Sequence, residues 1–541
     1  MQLTRRFTPL QMLLLSINGM VGSAWLFGPL YAARIAGSSA IISWILGGIA
    51  TALIALTFAE LSTLLPIAGG MTRFTQLTHG TLTSMIMSWI SWLSCVTMPP
   101  IEVQATLQYA STYLPSLTHT LNGAPVLTHL GLACATIIML LLSIINVASF
   151  KGLVRFNSLL FTFKIFVILF TIYALTTTHF HAANFTGLLP TLSHTTISNH
   201  WEAILTAVAS GGVAFAFTGF THGIALAGET KRSQFAIPLA VIGSVVVCLL
   251  LYLGLQIAFI GAIDPSNLIH GWKNLSFSGD VGPFIGIASI LGIGLLVKLL
   301  YIDTVVSPLG AGFIYVTSTA RTVYAMSKNG YFPPFIATLN EKGFPIYAIV
   351  LNFVLGMLLF LPLPGWQAMV SFLVSAVVIS YAIGPISLIC LRLQLPAEKR
   401  PFHLPGANLI SLLAFYCCNL ISYWTGWDTI WKLAVAIGIG IVVLMFAYFK
   451  GLINKNDFGS RSLIWLAPYL FGLFFISYLG SFGGKRYIPF GWDFLVIALF
   501  SIFILILAVI SRQSSAVLQF KVFQRELEVT QKTEFWNKKL V

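Results

Sequence analysis

The sequence contains fourteen apolar runs of membrane-spanning length, and this succession constrains the fold more than any other feature. A helix that crosses the hydrocarbon core needs about 20 mostly apolar residues. Only short segments separate the runs, so no sizeable soluble domain is expected. The sequence therefore predicts an all-α polytopic membrane protein. The runs lie at about residues 9–31, 39–65, 83–110, 128–148, 155–177, 203–228, 237–262, 284–323, 346–362, 366–392, 408–425, 430–449, 462–480 and 490–511.

The composition supports this class and excludes others. Of the 541 residues, 57% are hydrophobic and 8% are charged, whereas soluble chains carry about 25% charged residues. The net charge of +14 comes from short basic loops, so no nucleic-acid partner is indicated and the lipid bilayer is the expected surrounding. The sequence has no P-loop, no metal-ligand spacing and no paired nucleophile and base within a run. We therefore expect no cofactor, no metal and no enzymatic activity.

The distribution of lysine and arginine predicts the orientation, because these residues favour cytoplasmic loops. With the N-terminus in the cytoplasm, the basic residues outside the runs all fall on the cytoplasmic side except Arg34, Lys273, Lys485 and Arg486. Both termini are then cytoplasmic, including a polar tail at 512–541. We expect a multi-pass protein of the inner cell membrane.

The first run contains the stretch Ile17–Trp25, which forms helix poorly. Gly19 and Gly22 lie three residues apart, beside Asn18 and Ser23, and glycine disfavours helix. In lipid, each unpaired backbone group costs several kcal/mol, so a break persists only where these groups face a cavity or a ligand. The stretch predicts half of a substrate site at membrane depth. The alternative is a motif of small residues that lets two helices approach closely.

The sixth run repeats this feature, with glycines in mid-membrane along Ser210–Phe220. Runs one to five (about 8–177) and six to ten (about 203–392) form two halves, and the second is inverted because five is odd. Interrupted helices at matching positions of inverted halves are typical of secondary transporters. The sequence predicts a 5+5 inverted-repeat transporter core at 1–405 with broken helices 1 and 6, followed by four additional helices at 406–511.

Short motifs along the chain carry a family resemblance. They are Gly22–Ser23, Phe58–Ser62, Pro66, Gly69–Gly70, Asn157, Thr162, Lys164, Phe215–Phe220, Arg321, Tyr324–Met326, Asn329–Gly330, Arg400–Phe402 and Pro405. Together they resemble the amino-acid permeases of the amino acid–polyamine–organocation (APC) superfamily, over about residues 5–405. The chain departs from the family pattern at Ala24, where glycine is usual, and at Thr221, where an acidic residue often follows the Gly–Phe pair of helix 6.

The resemblance implies that backbone groups of the first break bind the carboxylate of an amino acid. N–H groups around Gly22, Ser23 and Ala24 would take the α-carboxylate. This assignment agrees with helix physics, since the start of a half-helix carries partial positive charge and presents unpaired N–H groups.

The resemblance also implies acceptors for the α-ammonium group. Carbonyl oxygens of Met20, Phe215 and Thr218 would bind it, because unwound carbonyls are strong acceptors. Phe215 and Phe217 are candidates for an aromatic lid that excludes water. The alternative is that they face lipid or the core, as most of the 42 phenylalanines of the chain are expected to do.

Lys164 lies about ten residues into the fifth run, roughly 15 Å from its start at 1.5 Å per residue. A lysine at this depth is costly, and burial disfavours the charged form of an amine, which allows proton exchange. In sodium-coupled relatives of this architecture, a sodium ion occupies the place that proton-coupled members give to this lysine. The resemblance thus implies a coupling residue that joins helices 1, 5 and 8. The alternative is a permanently charged structural ammonium.

Asp303 and Lys298 are further charges within the runs. Asp303 is a candidate for proton coupling, and Lys298 is a candidate contact for an acidic substrate side chain. Five residues separate them, so they share a helix face poorly and would meet only if the helix breaks near Ser307–Pro308. The alternatives are a neutralised buried pair or a Lys298 that extends outward.

Glu102, Glu60 and His222 complete the polar residues of interest. Glu102 falls near the outer end of the third run and is a candidate vestibule or side-chain contact. Glu60 is expected to be structural and to hold a basic residue such as Arg73. His222 follows the sixth-run break and is expected to be a satisfied polar residue.

The leading hypothesis is a proton-coupled amino-acid symporter or uniporter that works by alternating access. The segments Gly22–Pro29, Glu102–Ala105 and Asp303 with Ser307–Pro308 are similar to a bacterial subgroup that includes aspartate:proton symporters. This similarity favours aspartate or glutamate as the substrate. The alternatives are an amino-acid exchanger on the same fold and a non-transporting amino-acid sensor.

Overall fold

The computed structural model describes residues 7–66, 70–121, 124–148, 150–188, 194–275, 282–341, 343–361, 363, 365–449 and 460–513. Within these ranges, eleven helical stretches are long and apolar enough to cross a membrane, and two shorter apolar helices accompany them. The all-α polytopic class is therefore confirmed. The total of fourteen spans and the boundaries of the core and the two halves stay predictions. The predicted tail lies outside the described residues from 514 onward.

The helices follow one another along the whole described chain. They are α1 (Pro9–Met20), α2 (Ala24–Ala36), α3 (Ala40–Leu64), α4 (Gly70–His79), α5 (Thr81–Ala110), α6 (His129–Ala148), α7 (Phe150–Thr178), α8 (His194–Ser210), α9 (Val213–Ala216), α10 (Thr221–Ala225), α11 (Ser233–Pro238), α12 (Ser244–Ala262), α13 (Pro283–Ile290), α14 (Gly294–Lys328), α15 (Ile346–Leu358), α16 (Gly365–Tyr381), α17 (Ile383–Gln394), α18 (Ala407–Trp424), α19 (Trp427–Phe449), α20 (Leu463–Leu479) and α21 (Trp492–Ile510). A short antiparallel hairpin, β1 (Thr118–Leu121) and β2 (Ala124–Leu127), pairs Thr118 with Leu127.

The first span is broken between α1 and α2, as predicted. α1 begins at a capping box in which Gln11 N donates to Thr8 Oγ1 at 3.3 Å and Thr8 N donates to Gln11 Oε1 at 2.9 Å. This arrangement satisfies donors that the start of a helix leaves unpaired. After Met20 the backbone leaves the helix at Val21, whose ψ is 74°. The helix resumes at Ala24 as α2.

The sixth span is interrupted as well. α8 ends before Gly212, whose φ of +91° is a left-handed conformation that glycine adopts without strain. A single turn, α9, and a 3-10 turn at Thr218–Phe220 follow before α10 begins. A Cβ on Gly219 would clash with the backbone of Met20. The two interrupted spans therefore touch backbone to backbone at their breaks, so the glycines also serve close packing.

The long eighth run divides at a different place from the one considered in the sequence. A short helix, α13, ends at Ile290, and α14 then continues without interruption for 35 residues with Pro308 inside it. The helix is therefore not broken near Ser307–Pro308, and that expectation is wrong. A proline in a membrane helix is tolerated where neighbouring helices compensate, and α14 packs along α5 and α7.

The packing places α5 and α14 beside the broken spans. α5 lies against α14 and α16, while α1 contacts α10, α12 and α14. The later helices α18 and α21 pack against each other, and α18 also packs on α3. At the end of the bundle where α1 begins, Phe7 N donates to Glu229 O at 3.1 Å and Lys231 N donates to Phe7 O at 2.8 Å. We call this the Phe7 end.

Candidate functional site

Lys164 of α7 places its ammonium group at the C-terminal end of α1. Its Nζ donates to Val21 O at 2.8 Å, to Ser307 O of α14 at 3.0 Å and to Asn18 O at 3.4 Å. The side chain is buried. The last carbonyls of a helix lack intrahelical partners and form the negative end of its dipole, so they suit a cation. The ammonium thus joins α1, α7 and α14 at the first break.

Glu102 of α5 places its carboxylate at the N-terminal end of α2. Ser23 N donates to Oε2 at 2.7 Å, and a Cβ on Gly22 would clash with Oε1. Only glycine at position 22 lets the carboxylate approach the backbone this closely. The sequence places Glu102 near the outer interface, but it is 1% exposed and lies at the break. The reason is the length of α5, which has 30 residues and continues well past Glu102.

The two ends of the broken span are therefore each bound by a side chain whose polar group suits them. The ammonium of Lys164 meets the carbonyl end of α1, and the carboxylate of Glu102 meets the N–H end of α2. A break at membrane depth is costly unless its backbone groups are satisfied. Here the protein supplies its own partners for both ends.

α5 is attached to α14 close to this site. Pro99 and Pro100 lie within α5, one turn before Glu102, and a proline cannot donate to the carbonyl four residues earlier. The carbonyl that Pro99 leaves without a donor, Cys95 O, accepts a hydrogen bond from Thr319 Oγ1 of α14 at 3.1 Å. This bond compensates for the proline.

The carbonyls predicted to bind an ammonium group lie at the two breaks, and each already accepts a protein donor. Tyr252 of α12 connects the breaks, since its hydroxyl oxygen lies 2.8 Å from Met20 O and 3.3 Å from Ala216 O, and its one hydrogen can be donated to either carbonyl. An incoming ammonium would have to share or displace such donors. The other hydrogen bonds to these carbonyls run from Gly22 N to Met20 O at 3.0 Å, from Thr218 Oγ1 to Phe215 O at 2.8 Å, from Thr221 Oγ1 to Thr218 O at 2.9 Å and from Tyr381 OH to Thr218 O at 3.4 Å.

An aromatic cluster contacts the first break. Trp366 of α16 donates from Nε1 to Ser23 Oγ at 2.8 Å. Its ring stacks on Tyr31 at a centroid distance of 5.4 Å, lies 5.2 Å from Phe27 and meets Phe215 edge-on at 5.8 Å. Phe215, a predicted lid residue, is thus part of a larger cluster that connects both breaks and α16.

Phe217 does not belong to this cluster, and its ring lies in the core, which is the alternative that the sequence left open. Its ring is fully buried and packs edge-on against Trp44 of α3 at 6.0 Å and Tyr252 of α12 at 5.5 Å. Two residues along a helical turn correspond to about 200° of rotation. Phe215 and Phe217 therefore point to opposite sides of the interrupted helix.

Asp303 and Lys298 both lie in the continuous helix α14 and point in different directions from it. Asp303 is fully buried, and its charge interacts with that of Lys164. Lys298 is exposed, so the structure does not bring it to the breaks. The structure therefore does not support a contact between Lys298 and a substrate side chain. The physical reason is that five residues of unbroken helix turn Lys298 away from Asp303.

Sequence reasoning missed Trp366 and Tyr252, and it misjudged His222. His222 is buried beside the break: its ring lies 4.5 Å from that of Tyr315, and a Cβ on Gly19 would clash with it. Neither ring nitrogen has a hydrogen-bond partner among the described residues, so the expectation of a satisfied histidine is wrong. Its position just after the sixth-run break was the available signal. The two aromatic residues lie far from the breaks in sequence and gave none.

An ion pair lies at the Phe7 end of the site. Arg321 Nε of α14 lies 3.4 Å from Glu229 Oε1, and both side chains are buried. Glu229 lies in the 3-10 turn that follows α10, and its carbonyl receives Phe7 N. The pair therefore connects α14 to the sixth span below the breaks.

Glu60 of α3 has two arginines at its carboxylate. Arg392 donates from Nε to Oε1 at 3.0 Å and from Nη2 to Oε2 at 2.6 Å, and Arg400 Nη1 lies 3.4 Å from Oε1. The amide of Leu404 also donates to Oε2 at 2.8 Å. The structure thus gives Glu60 partners at the end of α17 and in the segment after it, which the sequence did not assign.

Comparison with known proteins agrees with this architecture. A sequence model of the family described as "Amino acid permease" matches residues 7–475. The glutamate/serine transporter AimA of Bacillus subtilis (strain 168) is 37% identical over 509 residues, which cover 93% of each chain. The aspartate-proton symporter of the same organism is 33% identical over 480 residues, 87% of this chain and 89% of its own. The chain therefore belongs to the amino acid permease family of the APC superfamily, whose members are transporters and not enzymes.

Proposed function

We propose that this permease imports an amino acid together with protons, by alternating access. Its termini lie in the cytoplasm, as the basic residues predict, so the Phe7 end faces inward. The breaks of the first and sixth spans hold the main-chain groups of the substrate. The cluster around Trp366 closes the site toward the outside, and the Arg321–Glu229 pair closes it toward the inside.

The observation that carries the coupling proposal is the position of the Lys164 ammonium. It contacts carbonyls of Asn18, Val21 and Ser307, three acceptors of the kind that would bind a cation. Loss of the proton would remove the positive charge and one of the three donor hydrogens, which weakens the contacts to these carbonyls and loosens α1 from α14. A proton at Lys164 thereby affects the arrangement of the two elements that form the first break, which is what coupling requires.

An acidic amino acid is the proposed substrate. The names of two similar proteins support it, since one is a glutamate/serine transporter and the other an aspartate-proton symporter. The second name also supports the proton as the coupling ion. His222, buried beside the first break without a hydrogen-bond partner among the described residues, is the proposed contact for the substrate's side chain.

Reconstituted vesicles test this function. Purified protein in liposomes should accumulate radiolabelled L-glutamate or L-aspartate when the outside is acidic, and a protonophore should abolish the accumulation. Lys164→Ala should lose uphill accumulation and keep part of its ligand binding. Lys432→Ala is the matched control, because Lys432 lies in α19 and pairs with Asp428 at 2.8 Å. Its accumulation should match that of the unaltered protein.

Two outcomes would overturn the proposal. Normal accumulation by Lys164→Ala would show that this lysine does not couple transport to protons. Uptake that needs amino acid inside the vesicles and ignores the proton gradient would identify an exchanger instead.

A further inference from the structure

The carboxylate of Glu102 occupies the place where the first break would bind the carboxylate of an amino acid. The bond from Ser23 N to Oε2 is 2.7 Å long and buried. The absence of a side chain at Gly22 lets Oε1 lie against the backbone. Gly22, Ser23 and Ala24 are the residues whose amides the substrate would use under the proposed function, so a carboxyl group of the protein already occupies this position.

Two carboxylates cannot share this position in their charged forms. The start of α2 supplies partial positive charge over its first turn only, and like charges in close contact disfavour each other's ionised state. An arriving substrate carboxylate therefore either finds Glu102 neutral or must displace a buried charge from its partner.

We propose that Glu102 is a tethered occupant of the carboxylate site, which an amino acid replaces with the uptake of one proton by Glu102. This proposal rests on the function proposed above and names the residue whose protonation accompanies substrate binding. With no substrate bound, the charged carboxylate satisfies the amide of Ser23. When the proton binds, the neutral side chain releases the amide, which then binds the substrate carboxylate. The proton and the amino acid are then transported together.

Other titratable groups face Glu102 from the surrounding helices. Lys164 of α7, Tyr252 of α12 and Tyr315 of α14 interact with its charge, and Asp303 of α14 interacts with Lys164. A positive Lys164 favours the charged form of Glu102 and therefore the occupied state. Asp303 is the other carboxylate at which the same proton could bind, so the experiment has to separate the two.

The test measures the dissociation constant of a radiolabelled amino acid for the detergent-purified full chain between pH 5 and pH 8. L-Serine, L-aspartate and L-glutamate serve as probes, and serine is the reference because its side chain does not titrate, whereas those of aspartate and glutamate are mostly ionised over this range. For the unaltered protein, the constant should rise about tenfold per pH unit above the pH at which Glu102 loses its proton, because one proton is bound with the ligand. For Glu102→Gln, the constant should be independent of pH.

Two further variants control for folding and for the neighbouring carboxylate. Asp493→Asn removes another buried carboxylate, which accepts hydrogen bonds from Tyr423 and Ser481 among α18–α21, and it should keep the full pH dependence. Asp303→Asn should keep a dependence on pH as well. A constant that still rises with pH in Glu102→Gln, or that becomes flat in Asp303→Asn, would overturn the proposal.

A failure of the Glu102 proposal can be distinguished from a failure of the proposed transport function. If none of the three amino acids binds to the unaltered protein at any pH, the transport proposal itself is wrong for these substrates. If they bind and only the pH dependence in Glu102→Gln disagrees, Glu102 is a structural partner of Ser23 and the transport proposal stands.

Discussion

Trp366 Nε1 donates a hydrogen bond to Ser23 Oγ at 2.8 Å. The amide of the same serine donates to Glu102. One residue of the first break is therefore bound on one side by the aromatic cluster and on the other by a buried carboxylate. Any movement of α16 away from the break must break the first bond, and any substrate carboxylate at the amide must replace the second.

The tryptophan bond predicts an effect on affinity. Trp366→Phe keeps an aromatic ring and loses the donor that holds Ser23 in position at the break, a bond worth about 1 kcal/mol. The substrate then has to supply this ordering energy when it binds, so it should bind up to about fivefold more weakly. Equilibrium binding of the radiolabelled amino acid measures this. Trp89→Phe is the matched control, because it loses a similar bond to Ala436 O at 3.0 Å. An equal loss of affinity in both variants would contradict the role of Trp366.

The carboxylate of Glu60 predicts a large effect on stability. Glu60→Gln leaves Arg392 and Arg400 without their anion, and breaking a buried pair costs about 3 kcal/mol or more. Thermal and chemical unfolding in detergent should show this loss, and the double variant with Arg392→Gln should recover part of it. Asp428→Asn, which removes the exposed pair with Lys432, should cost less than about 1 kcal/mol. Similar losses in Glu60→Gln and Asp428→Asn would rule out a structural role for the Glu60 pair.

The Arg321–Glu229 pair predicts control of access from the Phe7 end. Arg321→Gln removes the charge and should shift the equilibrium toward a state open at that end. A cysteine introduced by Ser16→Cys, a buried position in α1, should then react several-fold faster with a membrane-permeant maleimide. Arg486→Gln, which breaks the exposed pair with Glu202, is the control and should leave the rate unchanged. No acceleration in Arg321→Gln would mean that the pair is not a gate.

His79 predicts a pH dependence of stability. Its Nε2 donates to Ala508 O of α21 at 2.9 Å, and burial lowers the pKa of His79 from 6.5 to about 4. The native state therefore holds a neutral ring, so its contribution is complete above pH 6.5 and is lost as the pH falls toward 4. This loss amounts to about 3 kcal/mol.

The melting temperature in detergent between pH 4 and pH 8 measures the contribution of His79. His79→Gln should show a shallower fall below pH 6.5 than the unaltered protein. His119→Asn changes an exposed histidine of β1 and should leave the curve as it is. If the two variants give the same curve, the buried ring is not the titrating group.

Local sequence was sufficient to predict the two breaks. Glycines at mid-membrane weaken a helix wherever they occur, so the interruptions around Gly22 and Gly212 follow from the chain itself. The burial of Lys164 was also predictable in kind, because a charge deep in an apolar run needs a partner inside the protein.

The identity of the partners was not predictable, because each contact joins residues far apart in the chain. Glu102 and Ser23 are 79 positions apart, and Arg392 and Glu60 are 332 apart. Such pairings depend on how the helices pack, and periodicity says nothing about which helix lies beside which. The same holds for Trp366 and Tyr252, which no local pattern distinguishes from the other aromatic residues.

The facing of side chains along a helix also depended on the tertiary structure. Phe217 points into the core and Lys298 outward because the helices that carry them are oriented by their neighbours. The sequence by itself determined that a membrane bundle would form and where two of its spans would fail to be helical, since these follow from apolar length and backbone propensity. Only the tertiary structure decided which side chains bind the helix ends at the first break, because it alone brings α5, α7 and α14 to that break.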